Sequence, residues 1–191
     1  MTRIVCAALV TLLVGGFALG ADKKEEKVTG PLSFKMTGID GKELDLSQYK
    51  GKVVLFVNVA SKCGYTKQYT GLQAIYDKYG KAGLVVIGIP ANDFGMQEPG
   101  TDEDIQKFCS SMYKVTFPMT SKVAVKGPNK APLYKFFTEK ETNPKFSGEV
   151  KWNFEKVLVN RQGEVVGRFL SGVDPESEEM ITAIKTELDA K

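Results

Sequence analysis

Residues Val53 to Val59 read Val-Val-Leu-Phe-Val-Asn-Val, and the run ends in Ala60-Ser-Lys-Cys-Gly64. An apolar run so rich in β-branched residues reads as a strand buried on both faces, which requires a sheet with helices on either side. Small and polar residues then turn the chain. Beyond the turn Leu72, Ile75, Tyr76 and Tyr79 recur at i, i+3, i+4 and i+7, the spacing of an amphipathic helix. Cys63 therefore sits where a buried strand hands over to a helix, the sheet edge at which ligands and chemistry collect in open α/β folds. A helix N-terminus and the neighbouring Lys62 both favour a thiolate there. The competing reading is a small apolar filler, since free cysteine is commonly buried.

The same logic orders the rest of the chain. Leu32 to Met36 and Glu43 to Leu46 flank Asp40-Gly41 as an N-terminal hairpin. Leu84 to Ile89 is a second doubly buried strand, so strand, helix and strand form a right-handed βαβ unit. The loop after Pro90 lies on the same sheet edge as Cys63. Thr101 and Asp104 form a capping-box-like helix start, with Ile105, Phe108, Cys109 and Met112 on one apolar face. A short helix spans Ala131 to Lys140. Trp152 to Val159 and Glu164 to Leu170 make a second hairpin around Asn160-Arg-Gln-Gly163, and Asp174-Pro175 opens a last helix with Pro at its first position. These elements predict an α/β, thioredoxin-like fold: a central mixed β-sheet flanked by helices, with an added N-terminal β-hairpin.

Ahead of this domain, Met1 to Arg3 is basic, Ile4 to Leu19 apolar, and Ala18-Leu-Gly20 supplies small residues at a cleavage position. That is the pattern of a secretory signal peptide over residues 1–20, followed by a charged leader over 21–30 expected to be mobile and a domain over 31–191. Cys6 stands too early for lipid attachment, and no later stretch is long enough to span a membrane. The mature protein is thus expected to be exported, periplasmic or secreted. Charges of both signs are interspersed around a net charge of +3, which does not suit a nucleic-acid or anionic-membrane surface.

The chain has no histidine. That excludes a Ser-His-Asp triad, a Cys-His pair and a histidine metal site, and no cofactor is expected. Cleavage would leave two cysteines, Cys63 and Cys109. For an exported protein the plain reading is a structural disulfide, adding about 4 kcal/mol by chain entropy. The thiol-exchange motif Cys-x-x-Cys is represented by Cys63-Gly-Tyr-Thr66, without its second thiol. A lone thiolate suits attack on an O–O bond, leaving a sulfenic acid.

Asn58 to Thr66, Asn92 to Gly100 (Asn-Asp-Phe-Gly-Met-Gln-Glu-Pro-Gly) and Lys151-Trp-Asn-Phe154 resemble, in order and near-spacing, the three signatures of the glutathione peroxidase family. The likeness runs from about Leu32 to the C-terminus. It implies that Cys63 is peroxidatic, with Gln97, Trp152 and Asn153 as catalytic partners. Their amide and indole N–H groups are donors able to hold a thiolate and orient a peroxide without histidine. Read alone, the same residues are a loop amide, a core tryptophan and a strand-start asparagine.

The sequence departs from many members in having Ala91-Asn-Asp-Phe-Gly for Cys-Asn-Gln-Phe-Gly. That removes one possible resolving thiol and places the Asp93 carboxylate where it would oppose thiolate formation. Cys109 resembles the resolving cysteine of thioredoxin-dependent members. The resemblance thus implies reduction of hydrogen peroxide and organic or lipid hydroperoxides in the response to oxidative stress. Cys109, on the apolar face of its helix, would reach the Cys63 sulfenic acid by unwinding a turn, and a thioredoxin-like protein would reset the resulting disulfide. The short polar stretch before Trp152 implies a monomer. Two alternatives stand beside this: recycling by glutathione or another small thiol, and a non-enzymatic redox-sensing or binding domain with a permanent disulfide. A peroxiredoxin is disfavoured without Pro-x-x-x-Thr-x-x-Cys, as is a copper carrier without histidine or Cys-x-x-x-Cys.

Overall fold

A computed structural model describes residues 30–190. The expected signal peptide and residues 21–29 of the leader lie outside the described residues. Strand β1 (Lys35–Thr37) and β2 (Glu43–Asp45) pair antiparallel as a separate two-stranded sheet. The main sheet has the order β4-β3-β5-β6, built from β3 (Val53–Val59), β4 (Leu84–Pro90), β5 (Lys156–Val159) and β6 (Val165–Phe169). β3 pairs parallel with β4 and antiparallel with β5, and β5 pairs antiparallel with β6. The helices are α1 (Gln68–Tyr79), α2 (Asp102–Tyr113), α3 (Pro132–Thr138) and α4 (Glu178–Asp189).

All seven residues of β3 are buried. Its odd-numbered side chains, Val53, Leu55, Val57 and Val59, pack with Leu72 and Ile75 of α1, Ile105 and Cys109 of α2, and Met180 and Ile184 of α4. Val54 and Phe56 face the other way, onto Leu133 and Phe137 of α3 and Leu46 behind the hairpin. Each such side chain contributes about 1.5–3 kcal/mol by leaving water. This two-sided burial is what the uninterrupted apolar run demanded. Among the described residues no helix is long and apolar enough to cross a membrane.

Four local expectations are corrected. Met112 is 68% exposed: Ile105 and Cys109 of the α2 stripe are buried and Phe108 packs against the core, but the stripe ends there. The last helix starts at Glu178, with the Ser177 hydroxyl accepting from the Met180 amide, and Pro175 stays in the preceding turn. The first strand is shortened because Pro31–Ser33 coils into a 3-10 turn. Strand β5 begins at Lys156 and not at Trp152, since Phe154 takes a left-handed conformation (φ 64°) that breaks the extended register. The capping box of α2 closes as the sequence suggests: Thr101 Oγ1 accepts from the Asp104 amide (3.2 Å), and Asp104 Oδ2 from the Thr101 amide (3.1 Å).

Candidate active site around Cys63

At the end of β3 the chain folds back through the side chain of Thr66. The Cys63 amide donates to Thr66 Oγ1 (2.9 Å), which in turn donates to the Ala60 carbonyl (2.8 Å), and the Thr66 amide donates to the Cys63 carbonyl (3.0 Å). Thr66 occupies the place of a second thiol and clamps the turn instead. Helix α1 begins only at Gln68, so Cys63 lies five residues upstream of it. The donor at the sulfur is therefore a turn amide: Tyr65 N–H points at Cys63 Sγ (3.5 Å). This corrects the helix-terminus argument, because the unpaired amides of a helix act only within its first turn. Cys63 is half-buried and free.

The second segment is the loop after β4. Lys62, next to Cys63, donates its amide to the Gln97 carbonyl (3.0 Å). Left-handed residues Gly95 (φ 62°) and Met96 (φ 52°) turn the loop back, and Asn92 Oδ1 accepts from the Glu98 amide (2.8 Å). Asp93 Oδ2 accepts from the Val125 amide (2.8 Å), so that carboxylate is engaged by the following segment.

The third segment is held by Asn58, the polar residue inside β3. Its side-chain amide donates to the Trp152 carbonyl (3.0 Å), and its own carbonyl accepts from the Phe154 amide (2.6 Å). The intervening Asn153 is fully buried and donates from Nδ2 to Gln97 Oε1 (3.0 Å). Trp152 packs its ring on Phe94 (5.5 Å between centroids) yet remains 38% exposed, so it is not a core tryptophan. The Cys63 turn, Gln97, Trp152 and Asn153 thus share one edge of the sheet. The placement work of Asn58 and Thr66 was missed by sequence reasoning. For Asn58 a signal existed, since a polar residue in a doubly buried strand requires a partner.

Cys109 is set apart from this group. It lies on α2, 1% exposed and free, against the Tyr69 hydroxyl. Burial, with the Glu98 carboxylate adding to it, pushes its thiol up to about 11 from 9.0, although the Tyr69 contact pulls the other way. A thiol shifted by that much holds about 100-fold less thiolate at neutral pH than an ordinary one. Iodoacetamide labelling of the reduced protein at pH 7, followed by mass spectrometry, is expected to modify Cys63 well before Cys109. Labelling of both at equal rates in the folded protein would contradict this arrangement.

Five buried side-chain atoms lack a hydrogen-bond partner among the described residues: Asn58 Oδ1, Ser61 Oγ, Tyr69 OH, Glu98 Oε2 and Asn153 Oδ1. Asn58, Ser61 and Tyr69 lie within six residues of Cys63 in the chain, and Glu98 and Asn153 belong to the other two segments of the site. Buried polar groups are normally paired, so their concentration here marks a functional region. A cavity of about 290 Å³ opens beside the turn, between Ser61, Lys62 and Glu98 on one side and Ile105 and Phe108 of α2 on the other. The larger cavity, about 600 Å³ near Thr142 and Glu164, does not touch these residues. Among the described residues no group of three or more His, Cys, Asp or Glu side chains is placed to hold a metal.

A single half-buried thiol after the central strand of a mixed sheet, with no second thiol in its turn, defines a thiol-redox protein on the thioredoxin plan. The chain belongs to the glutathione peroxidase family, whose profile matches residues 32–138. A glutathione peroxidase-like peroxiredoxin of Schizosaccharomyces pombe is 50% identical over 137 residues, covering 72% of this chain and 86% of that one. A hydroperoxy fatty acid reductase of Synechocystis is 47% identical over 148 residues, covering 75% and 88%. The crystal structure of T. cruzi GPX1 superposes with a TM-score of 0.63 at 36% identity, covering 83% of this chain and 96% of that one. A thioredoxin-family thiol:disulfide interchange protein from Chlorobium tepidum shares the fold (TM-score 0.61, 17% identity, 84% and 96% covered).

Proposed function

We propose that this protein is an exported thiol peroxidase in which Cys63 reduces hydroperoxides and Cys109 resolves the product for a thioredoxin-like reductant. The observation that carries the reading is the bonded series from the residue beside Cys63 to Gln97 and on to Asn153, anchored on β3 by Asn58. Cys63 sulfur attacks the terminal oxygen of the hydroperoxide, the O–O bond breaks, and an alcohol or water leaves as Cys63 becomes a sulfenic acid. Gln97, Asn153 and the indole N–H of Trp152 are the donors that hold charge at the sulfur and at the departing oxygen. Cys109 then condenses with the sulfenic acid, and exchange with an external dithiol restores both thiols. The names of the relatives, a peroxiredoxin and a hydroperoxy fatty acid reductase, support peroxide and lipid hydroperoxide as substrates.

A second reading is favoured by one observation. Cys109 is buried within an intact helix, whereas Cys63 is open enough for a small thiol such as glutathione to attack directly. Steady-state assays of the mature protein separate the two, comparing thioredoxin with glutathione and hydrogen peroxide with a lipid hydroperoxide. In the two-cysteine cycle, Cys109→Ser is expected to lose at least 50-fold in thioredoxin-dependent turnover, while one equivalent of peroxide still oxidises Cys63. Unchanged multiple-turnover activity in that variant would rule the cycle out.

A further inference from the structure

The two-cysteine cycle leaves a chemical difficulty at its second step. Cys109 must lose a proton to form a disulfide, yet it sits in an apolar interior that disfavours the thiolate. The groups around it are informative. The Tyr69 hydroxyl lies against the Cys109 thiol and has no other partner, although Tyr69 is fully buried among Tyr113, Phe117 and Phe154. Glu98 is 1% exposed, and its Oε2 is unpaired. Its charge is felt by both Cys109 and Tyr69. The Ser61 hydroxyl and amide, two residues before Cys63, face the Glu98 carboxyl and favour its charged form, although neither Ser61 Oγ nor Glu98 Oε2 completes a hydrogen bond of good geometry. A buried carboxylate costs several kcal/mol unless its oxygens are satisfied, so its retention here requires a reason.

The cavity supplies the spatial part of that reason. Glu98 and Ser61 line it on the Cys63 side, and Ile105 and Phe108, the α2 residues immediately before Cys109, line it on the other. A helical turn that brings Cys109 towards Cys63 moves into this space, past Glu98.

We propose that Glu98 is the proton acceptor for the resolving thiol, met as the Cys109 turn of α2 moves into this cavity. In this step the S–H bond of Cys109 breaks and its proton passes to Glu98. The Cys109 sulfur forms an S–S bond with Cys63, and the S–O bond of the sulfenic acid breaks. Glu98 then gives the proton to the departing hydroxide, which leaves as water. Cys63 is reduced from the sulfenic to the disulfide level and Cys109 is oxidised to it, so no external oxidant or reductant enters. Lys62 and Lys122 are the cations that face Glu98. Lys122 is anchored on the Glu98 and Gly100 carbonyls (3.1 and 2.6 Å). Burial raises the Glu98 carboxyl above its ordinary value, in the direction that makes it a stronger base.

This inference rests on the two-cysteine cycle, and the test separates the two. Reduced full-length protein receives one equivalent of hydrogen peroxide. Sulfenic acid is followed by dimedone trapping, and the Cys63–Cys109 disulfide by peptide mass spectrometry after acid quench. Wild-type protein that never forms the disulfide would overturn both the cycle and the role of Glu98. If it does form, Glu98→Gln is expected to slow disulfide formation at pH 7 at least tenfold more than it slows Cys63 oxidation. Its rate should also keep climbing with pH through the alkaline range, where the buried thiol ionises unaided, whereas the wild-type rate levels off at lower pH. Glu98→Asp should restore part of the rate. Tyr69→Phe removes the hydroxyl beside the Cys109 thiol but keeps the ring contacts and Glu98, so it should fold and its rate should still level off with pH as in wild type. Disulfide formation within twofold of wild type in Glu98→Gln would overturn the assignment to Glu98 alone. Slowing with an unaltered pH profile would overturn it equally.

Discussion

Cys63→Ser is expected to lower peroxidase turnover by at least about 1000-fold with every reductant, because a neutral serine hydroxyl neither attacks an O–O bond at useful rates nor forms a sulfenic acid. The turn itself should survive. The clamp at Thr66 uses the Cys63 main chain, and the sulfur receives only the Tyr65 amide. The variant should therefore unfold at the same denaturant concentration as wild type, which separates lost chemistry from lost structure. Gln97→Ala and Asn153→Ala are expected to cost about 10–100-fold each in Cys63 oxidation. The two side chains are hydrogen-bonded to each other, so the double variant should lose much less than the product of the single losses. Stopped-flow reaction with one equivalent of hydrogen peroxide measures all of these. More than 1% of wild-type turnover in Cys63→Ser would place the nucleophile elsewhere.

How much of this site could be read in the chain follows from how local each contact is. The β3 run, the break at Ala60 and the capping box at Thr101 depend on neighbours within a few residues, and they fold as the sequence suggests. The three signature segments were legible only through their joint resemblance to a family, since an amide or an indole read alone is an ordinary loop or core residue. The hydrogen bonds that place them were not. Asn58 meets Trp152 across 94 residues, and Asn153 meets Gln97 across 56. Helical periodicity likewise cannot tell that Met112 runs past the edge of the core while Cys109, three residues earlier, does not. Local chemistry also misled at Pro175, where a serine two residues later caps the helix instead. The bond that orients the Asp93 carboxylate, from the Val125 amide 32 residues on, was equally invisible.

Lys156 is the largest such surprise, and it carries the strongest stability prediction. It reads as an ordinary charged residue at the start of a strand, yet it is fully buried and opposite Val57 in the central pairing. Its ammonium donates to Gln68 Oε1 (2.5 Å) at the start of α1 and to the Val173 carbonyl (2.5 Å), with Ser171 O at 3.5 Å. It thereby fastens α1 to the segment that leads into α4. Methionine keeps the volume, so Lys156→Met tests the bonds and not a cavity. It strands Gln68 Oε1 and the Val173 carbonyl, at about 1–3 kcal/mol for each buried polar group left unpaired. Relief of the lysine's own burial offsets part of this, so a net loss of about 2–4 kcal/mol near pH 7.5 is expected. The sign of the pH dependence follows from burial, which lowers Lys156 from 10.5 to about 8, with Asp174 opposing. Between those values the unfolded chain holds the proton and the folded one releases it, so wild-type stability gains from this group as pH rises. The deficit of Lys156→Met should therefore widen between pH 8 and pH 10.5, by up to about 3 kcal/mol. Taking the difference between the two proteins cancels Cys109, whose raised value works in the opposite sense over a similar range. Urea unfolding of both proteins at pH 7.5 and pH 10 measures the gap. A gap that narrows with pH would mean that the carbonyl oxygens hold the ammonium more firmly than burial expels it.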